Sequence, residues 1–161
     1  MEKARQVKLP RSPVIEALQK ADVEFGIIRH GKAVYSAEDI AKARKRPVAS
    51  IVKCILLTDG ISHVVACISG DRKVDAPKVR ETFGTGKLEF ADEKDIKKLT
   101  GTPPGTISPI GMKTELPVVI DKKLAEKAKV SISSGDPKFG IELRGSDLVK
   151  LSRAKIANIS K

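Results

Sequence analysis

The chain has 161 residues, 40% of them apolar and 32% charged, which is enough for one domain with a real core and too apolar for a disordered chain. It carries 31 basic against 20 acidic residues, a net charge of +11 and a pI near 9.7. Such a field draws polyanions and speeds their arrival. Aromatic residues make up only 3% and tryptophan is absent, which argues against a stacking platform for single strands, so phosphate contacts would have to dominate. No apolar run is long enough to span a membrane, and the basic start has no apolar segment behind it, unlike a secretory signal. A cytoplasmic protein is expected. Cys54 and Cys67 are too few for a disulfide scaffold, lack metal-type spacing and read as small buried hydrophobes.

Residues 1–11 read as a flexible basic tail, and residues 12–161 as a single domain. Ser12 and Pro13 suit the start of a helix, with Val14, Ile15, Leu18 and Ala21 on one side. Residues 23–29 read as a strand. Ser36, three residues ahead of Asp39, resembles a capping box for a short helix to about Ala43, which runs out in Arg44, Lys45, Arg46 and Pro47. Residues 51–58 and 61–69 are apolar strands around Asp59-Gly60, a strong hairpin signal. A helix over 75–83, a short strand over 87–90, and a helix capped by Asp92 and ended by Gly101 follow. Residues 101–111 are irregular. A strand over 116–120 leads to a helical turn from Lys122. Strands over 129–133 and 141–144 flank a polar turn, Ser146-Asp147 opens a short helix, and 155–159 ends the chain as a strand. Strand and helix do not alternate regularly, so a doubly wound parallel sheet is not expected. The class expected is mixed α+β, with a curved sheet or partial barrel and helices packed outside it.

Three features bear on chemistry. Lys53 lies inside the apolar run Ile51 to Leu57, where an ammonium must reach water or an anion. It is either an edge lysine that blocks aggregation or a ligand contact. A two-residue turn at Asp59-Gly60 would set it opposite Ala66, whose small side chain leaves room beside it. Residues 101–111 hold three glycines and three prolines. Such a stiff loop either connects elements or offers free N–H groups to a carbonyl or phosphate. Ser133, Ser134 and Gly135, with Asp136 and Pro137, form a polar turn that gains meaning only if the first two features converge on it. His30, at a strand end, could line a pocket. His63 falls on the face of Cys54, away from Lys53, and no triad, P-loop or zinc motif is present. Arg72 and Lys73, in the turn after Gly70, and the cluster Lys42, Arg44, Lys45 and Arg46 either contact phosphates or form solvated faces.

In their order and spacing, these pieces resemble the YbaK family of aminoacyl-tRNA deacylases, to which the editing domain inserted in bacterial prolyl-tRNA synthetases belongs. The likeness covers about residues 13–151. It rests on Val52-Lys53, the turn at residues 70–73, the run from Gly105 to Gly111 with its Ile107-Ser108-Pro109, and Ser134-Gly135 followed by Ile141-Glu142-Leu143.

The resemblance implies a mixed α/β fold round a curved, largely antiparallel barrel, and hydrolysis in trans of mischarged tRNA, typically a proline tRNA carrying alanine or cysteine. Lys53 matches the family lysine that positions substrate, and Gly105 the glycine near the reacting ester. Thr106, Ile107, Ser108, Ser133, Ser134 and Gly135 fall in the matching pocket segments. Some relatives carry tyrosine near Ile28 and some aspartate at Gly140, two departures that bear on amino-acid specificity. Partners implied are the tRNA acceptor end and an aminoacyl-tRNA synthetase, with no metal or other cofactor. The rival reading is a module of the same fold that binds tRNA or a synthetase without hydrolysis.

Overall fold

The computed structural model describes residues 2–3 and 10–161. Two sheets face each other. The first is antiparallel throughout, in the order β1 (Glu2–Lys3), β2 (Gly26–Arg29), β8 (Phe139–Leu143), β7 (Val130–Ser133). The second runs β5 (Glu89–Phe90), β3 (Val52–Thr58), β4 (His63–Ser69), β6 (Val118–Asp121), β9 (Lys155–Ala157). Here β3 pairs antiparallel with β4 and β5, while β4–β6 and β6–β9 are parallel. Among the described residues one isolated parallel bridge, Ile51 to Ser131, links the two sheets. The mixed α+β class is as expected, and the assembly is a partial barrel rather than a closed one. Of the expected N-terminal tail, Glu2–Lys3 pairs with the edge of β2, and residues 1 and 4–9 lie outside the described residues.

Six helices pack around the sheets: α1 (Pro13–Lys20), α2 (Ala37–Arg44), α3 (Ala76–Phe83), α4 (Glu93–Thr100), α5 (Lys122–Ala125) and α6 (Gly145–Ser152). Their starts follow side-chain chemistry legible in the chain. Ser12 Oγ accepts the Ile15 N–H at 3.1 Å and Ser36 Oγ that of Asp39 at 3.1 Å, while Asp92 Oδ1 accepts that of Asp95 at 2.8 Å. Each satisfies one of the orphan donors of a first turn. Between the sheets, Ile27, Val130, Ile132 and Ile141 meet Val52, Leu56, Val65, Cys67 and Ile120, closed at the ends by α1 and α6. The outer face of the five-stranded sheet buries Leu57, Val64, Ala66 and Ile68 with Val79 of α3. A small third cluster, Val34, Ile40, Ala41 and Ile51, lies under α2.

The β3–β4 hairpin corrects one expectation. Thr58 pairs with His63, so the loop holds residues 59–62 and Lys53 stands opposite Ile68, not Ala66. The two-residue slip keeps every side chain on its expected face. Asp59 causes the longer loop. Its Oδ1 accepts from the Ile61 and Ser62 N–H groups at 2.9 and 2.6 Å, and its Oδ2 from Gly86 N–H at 2.9 Å. These bonds, that to Ser62 first, hold the carboxyl at a pKa of about 2, below its ordinary 3.8. Because the folded value is depressed, the stabilisation is present above the ordinary carboxylate pKa and fades as pH falls from about 4 towards 2. Asp59→Asn should therefore melt below the wild type at neutral pH, with the gap in Tm closing across that acid window. A gap that stays constant with pH would contradict the role assigned to the carboxylate.

Candidate active site

A pocket of about 270 Å³ opens where four segments meet: the loop into α2 with the helix itself, the start of β3, the loop at 105–107, and the β7–β8 turn. Lys53, Gly105, Thr106, Ile107 and Ser133 all line it, although β3, the loop and β7 are far apart in the chain. Lys53 is half-buried, and its Nζ donates to the Arg72 carbonyl at 2.6 Å. That bond ties the ammonium to the turn at residues 70–73.

The loop is held from both sides. Ser133 Oγ donates to the Thr106 carbonyl at 2.8 Å and accepts the Gly135 N–H at 3.1 Å. Thr106 closes a tight turn, its N–H and Oγ1 donating to the Pro103 carbonyl at 3.2 and 2.8 Å. The N–H groups of Gly105 and Ile107 have no acceptor among the described residues. Gly105 takes a left-handed φ of 84° and packs beside Tyr35, which is 54% exposed at the rim. The site thus combines one ammonium with two unpaired backbone donors in a rigid turn, which can hold an oxyanion, a carbonyl or a phosphate.

Other sequence candidates fall elsewhere. Ser108 is buried beneath the loop, with its Oγ accepting the Ile110 N–H at 3.3 Å. Ser134 is fully buried, and its Oγ donates to the Phe139 carbonyl at 2.7 Å. Neither it nor Gly135 lines the pocket; both shape the turn that carries Ser133. His30 is off the pocket as well. Its Nδ1 pairs with the Lys32 carbonyl at 2.9 Å and its backbone N–H donates to the Lys138 carbonyl.

The basic cluster after α2 divides. Lys42 and Lys45 are exposed, as expected of phosphate contacts. Arg46 donates its Nε to Glu142 Oε2 at 2.6 Å, and this bond raises its pKa. Arg44, expected on the same solvated face, is 4% exposed and turns inward to line the pocket. Arg72 and Lys73 are exposed. Asp136, from the polar turn read in the sequence, borders the cavity, and so does Tyr35, which carries no sequence signal of its own. Tyr35, the only tyrosine of the chain, immediately precedes a helix cap, which fixes its backbone at the pocket entrance.

Cys54 Sγ lies 3.4 Å from Cys67 Sγ across the strand pair. The bond to Cys54, with full burial, pushes the Cys67 thiol well above its ordinary pKa, which rules it out as a thiolate at neutral pH. His63 shares the face of Cys54, as expected, and sits 3.8 Å from Asp95. Among the described residues no group of three or more His, Cys, Asp or Glu side chains is placed to hold a metal ion, and no helix is long and apolar enough to cross a membrane.

Residues 31–151 match the family model of the aminoacyl-tRNA editing domain, and the chain belongs to that family. The prolyl-tRNA editing protein ProX of Acetoanaerobium sticklandii is 29% identical over 150 residues, which cover 89% of this chain and 91% of ProX. EbsC of Enterococcus faecalis, named as a candidate Cys-tRNA(Pro)/Cys-tRNA(Cys) deacylase, is 29% identical over 126 residues, with 78% of this chain and 77% of EbsC covered. The fold is that of a crystal structure described as a candidate trans-editing enzyme for prolyl-tRNA synthetase, with a TM-score of 0.84 at 24% identity over 96% of this chain and 99% of that one.

Proposed function

We propose that the protein is a trans-editing hydrolase that removes a small amino acid, alanine or cysteine, from a mischarged proline tRNA. The observation that carries this reading is the convergence of Lys53, the unpaired N–H groups of Gly105 and Ile107, and Ser133 on one cavity. The names of ProX and EbsC, which span nearly the same length, support the same class of reaction.

An aminoacyl ester is labile, so positioning and oxyanion stabilisation suffice and no strong nucleophile is needed. Water attacks the ester carbonyl and the charge developing on its oxygen is met by the Gly105 and Ile107 N–H groups. The bond to the ribose oxygen then breaks, leaving a free amino acid and a tRNA with its terminal hydroxyl restored. Lys53 binds the terminal phosphate or ribose of the acceptor end, or the ester carbonyl itself. A neighbouring hydroxyl of the terminal adenosine takes the proton from water as it passes its own to the leaving ribose oxygen, while Asp136, the carboxylate on the pocket wall, accepts the Lys138 N–H. The exposed Lys42, Lys45, Arg72 and Lys73 add phosphate contacts outside the cavity, and the net charge of +11 speeds encounter with tRNA or a tRNA-bound synthetase.

The test is incubation of the protein with alanyl- and cysteinyl-tRNA for proline, following release of the amino acid. Release of either supports the hydrolase. Tight, salt-sensitive retention of tRNA with the ester intact would instead identify a binding module.

A further inference from the structure

Arg44 is the last residue of α2, on the same helical face as the buried Ile40 and Ala41. Its side chain runs under the helix to β7, where Nη1 donates to Ser131 Oγ at 2.8 Å and to the Ile132 carbonyl at 3.2 Å. Nε is buried with no acceptor. The guanidinium lies flat on Gly140, the register partner of Ser133. A Cβ at position 140 would stand 2.1 Å from Arg44 Cζ, so only glycine permits this placement.

What Arg44 lacks is an anion. Among the described residues no carboxylate is in salt-bridge range of it. Glu142, two residues along β8, is taken by Arg46 at 2.6 Å and Lys129 at 3.9 Å. Asp136, on the pocket wall, accepts the Lys138 N–H at 2.8 Å. Burial lowers the Arg44 pKa from 12.5 to about 10, which leaves it charged at neutral pH. A buried cation held by neutral acceptors is undercompensated, and Arg44 is among the residues that line the pocket, as is Ser133.

We propose that Arg44 is a specificity-determining residue: it presents an unneutralised guanidinium to the acyl group and selects a small side chain that carries an oxygen acceptor, serine ahead of alanine. This rests on the deacylase reading and extends its substrates from alanine and cysteine to serine. Serine has the shape of cysteine with a better acceptor, so it fits any cavity that admits cysteine. A donor left without its acceptor disfavours the substrate that lacks one.

The experiment compares kcat/KM for seryl-, cysteinyl- and alanyl-tRNA of one tRNA body, in the wild type and in Arg44→Met and Arg44→Lys, with Tm recorded for each. The wild type should release serine about ten- to a hundredfold faster than alanine. Arg44→Met should bring the ratio near one while alanine is still released, and Arg44→Lys should restore part of the preference. A wild type that does not prefer serine overturns the inference without any variant, as does an unchanged ratio in a folded Arg44→Met. Either result leaves the deacylase standing if alanine or cysteine is released. Release of nothing from all three by the wild type overturns the deacylase reading, and this inference with it. Should Arg44→Met fail to fold, Gly140→Ala displaces the guanidinium without deleting it, and the serine preference should fall there too; a preference that persists overturns the proposal.

Discussion

Replacing Lys53 with alanine should lower deacylation by about 10²–10³-fold, the range typical of losing one charge-stabilising contact at an acyl-transfer site, while the fold survives. The ammonium makes one hydrogen bond within the protein, to the Arg72 carbonyl, and the side chain is only half-buried. Its removal costs about 1 kcal/mol of stability. Stability and activity are thereby separated, since a residue of purely structural value would lower both together. Single-turnover deacylation with enzyme in excess, alongside a thermal melt, makes the comparison. Lys53→Ala at full activity would take the lysine out of the mechanism and leave the Gly105 and Ile107 N–H groups to act alone.

A large effect on stability is expected from Gly111→Ala. Gly111 has a φ of 73°, and a Cβ there would stand 2.8 Å from Pro13 C, 2.9 Å from Pro13 O and 2.9 Å from Val14 N. These are backbone atoms of the first turn of α1, whose position is already set by the Ser12 cap, so they cannot swing aside as a side-chain tip would. Left-handed strain and overpacking together should cost about 3 kcal/mol, a fall in Tm of about 10 °C for a domain of this size. Gly105→Ala supplies the comparison. Its φ is also positive, but a Cβ would meet Tyr35 at 3.5 Å and beyond, an ordinary contact. Only the backbone strain applies, and the loss of Tm should be clearly smaller. Equal losses in differential scanning calorimetry would show that the clash with α1 does not decide the outcome.

The parts of this molecule legible in its sequence are those governed by local rules. Caps at Ser12, Ser36 and Asp92 place helix starts because one side chain answers one nearby N–H. Alternation puts Lys53 and Cys54 on opposite faces of β3 whatever the loop length, which is why a wrong hairpin register still gave the right faces. The parallel pairing of β6 between β4 and β9 leaves no such mark, since parallel neighbours are joined by long connections whose partners local patterning does not name.

The convergence of β3 with the loop at 101–111 likewise came from the order of motifs, not from periodicity. Arg44 is different: its signal was present and was outweighed. It stands four residues after Ile40 and three after Ala41, on the apolar stripe of α2, yet it was grouped with its charged neighbours Lys45 and Arg46. Helical position decides the direction of a side chain more than the company it keeps in the chain. His30 carries the opposite case, since a polar residue at a strand end has no periodic partner to fix where it points.

The single bridge from Ile51 to Ser131 has a mechanical consequence. One jaw of the cavity is carried by the five-stranded sheet and the other by the four-stranded one, and at this rim the two are pinned at one point. Parting them there breaks little of either sheet's ladder, so the expected response to an incoming acceptor end is a small opening at this rim. The amides flanking that pin should exchange with deuterium well before those in mid-β4, and a bound tRNA should slow them first.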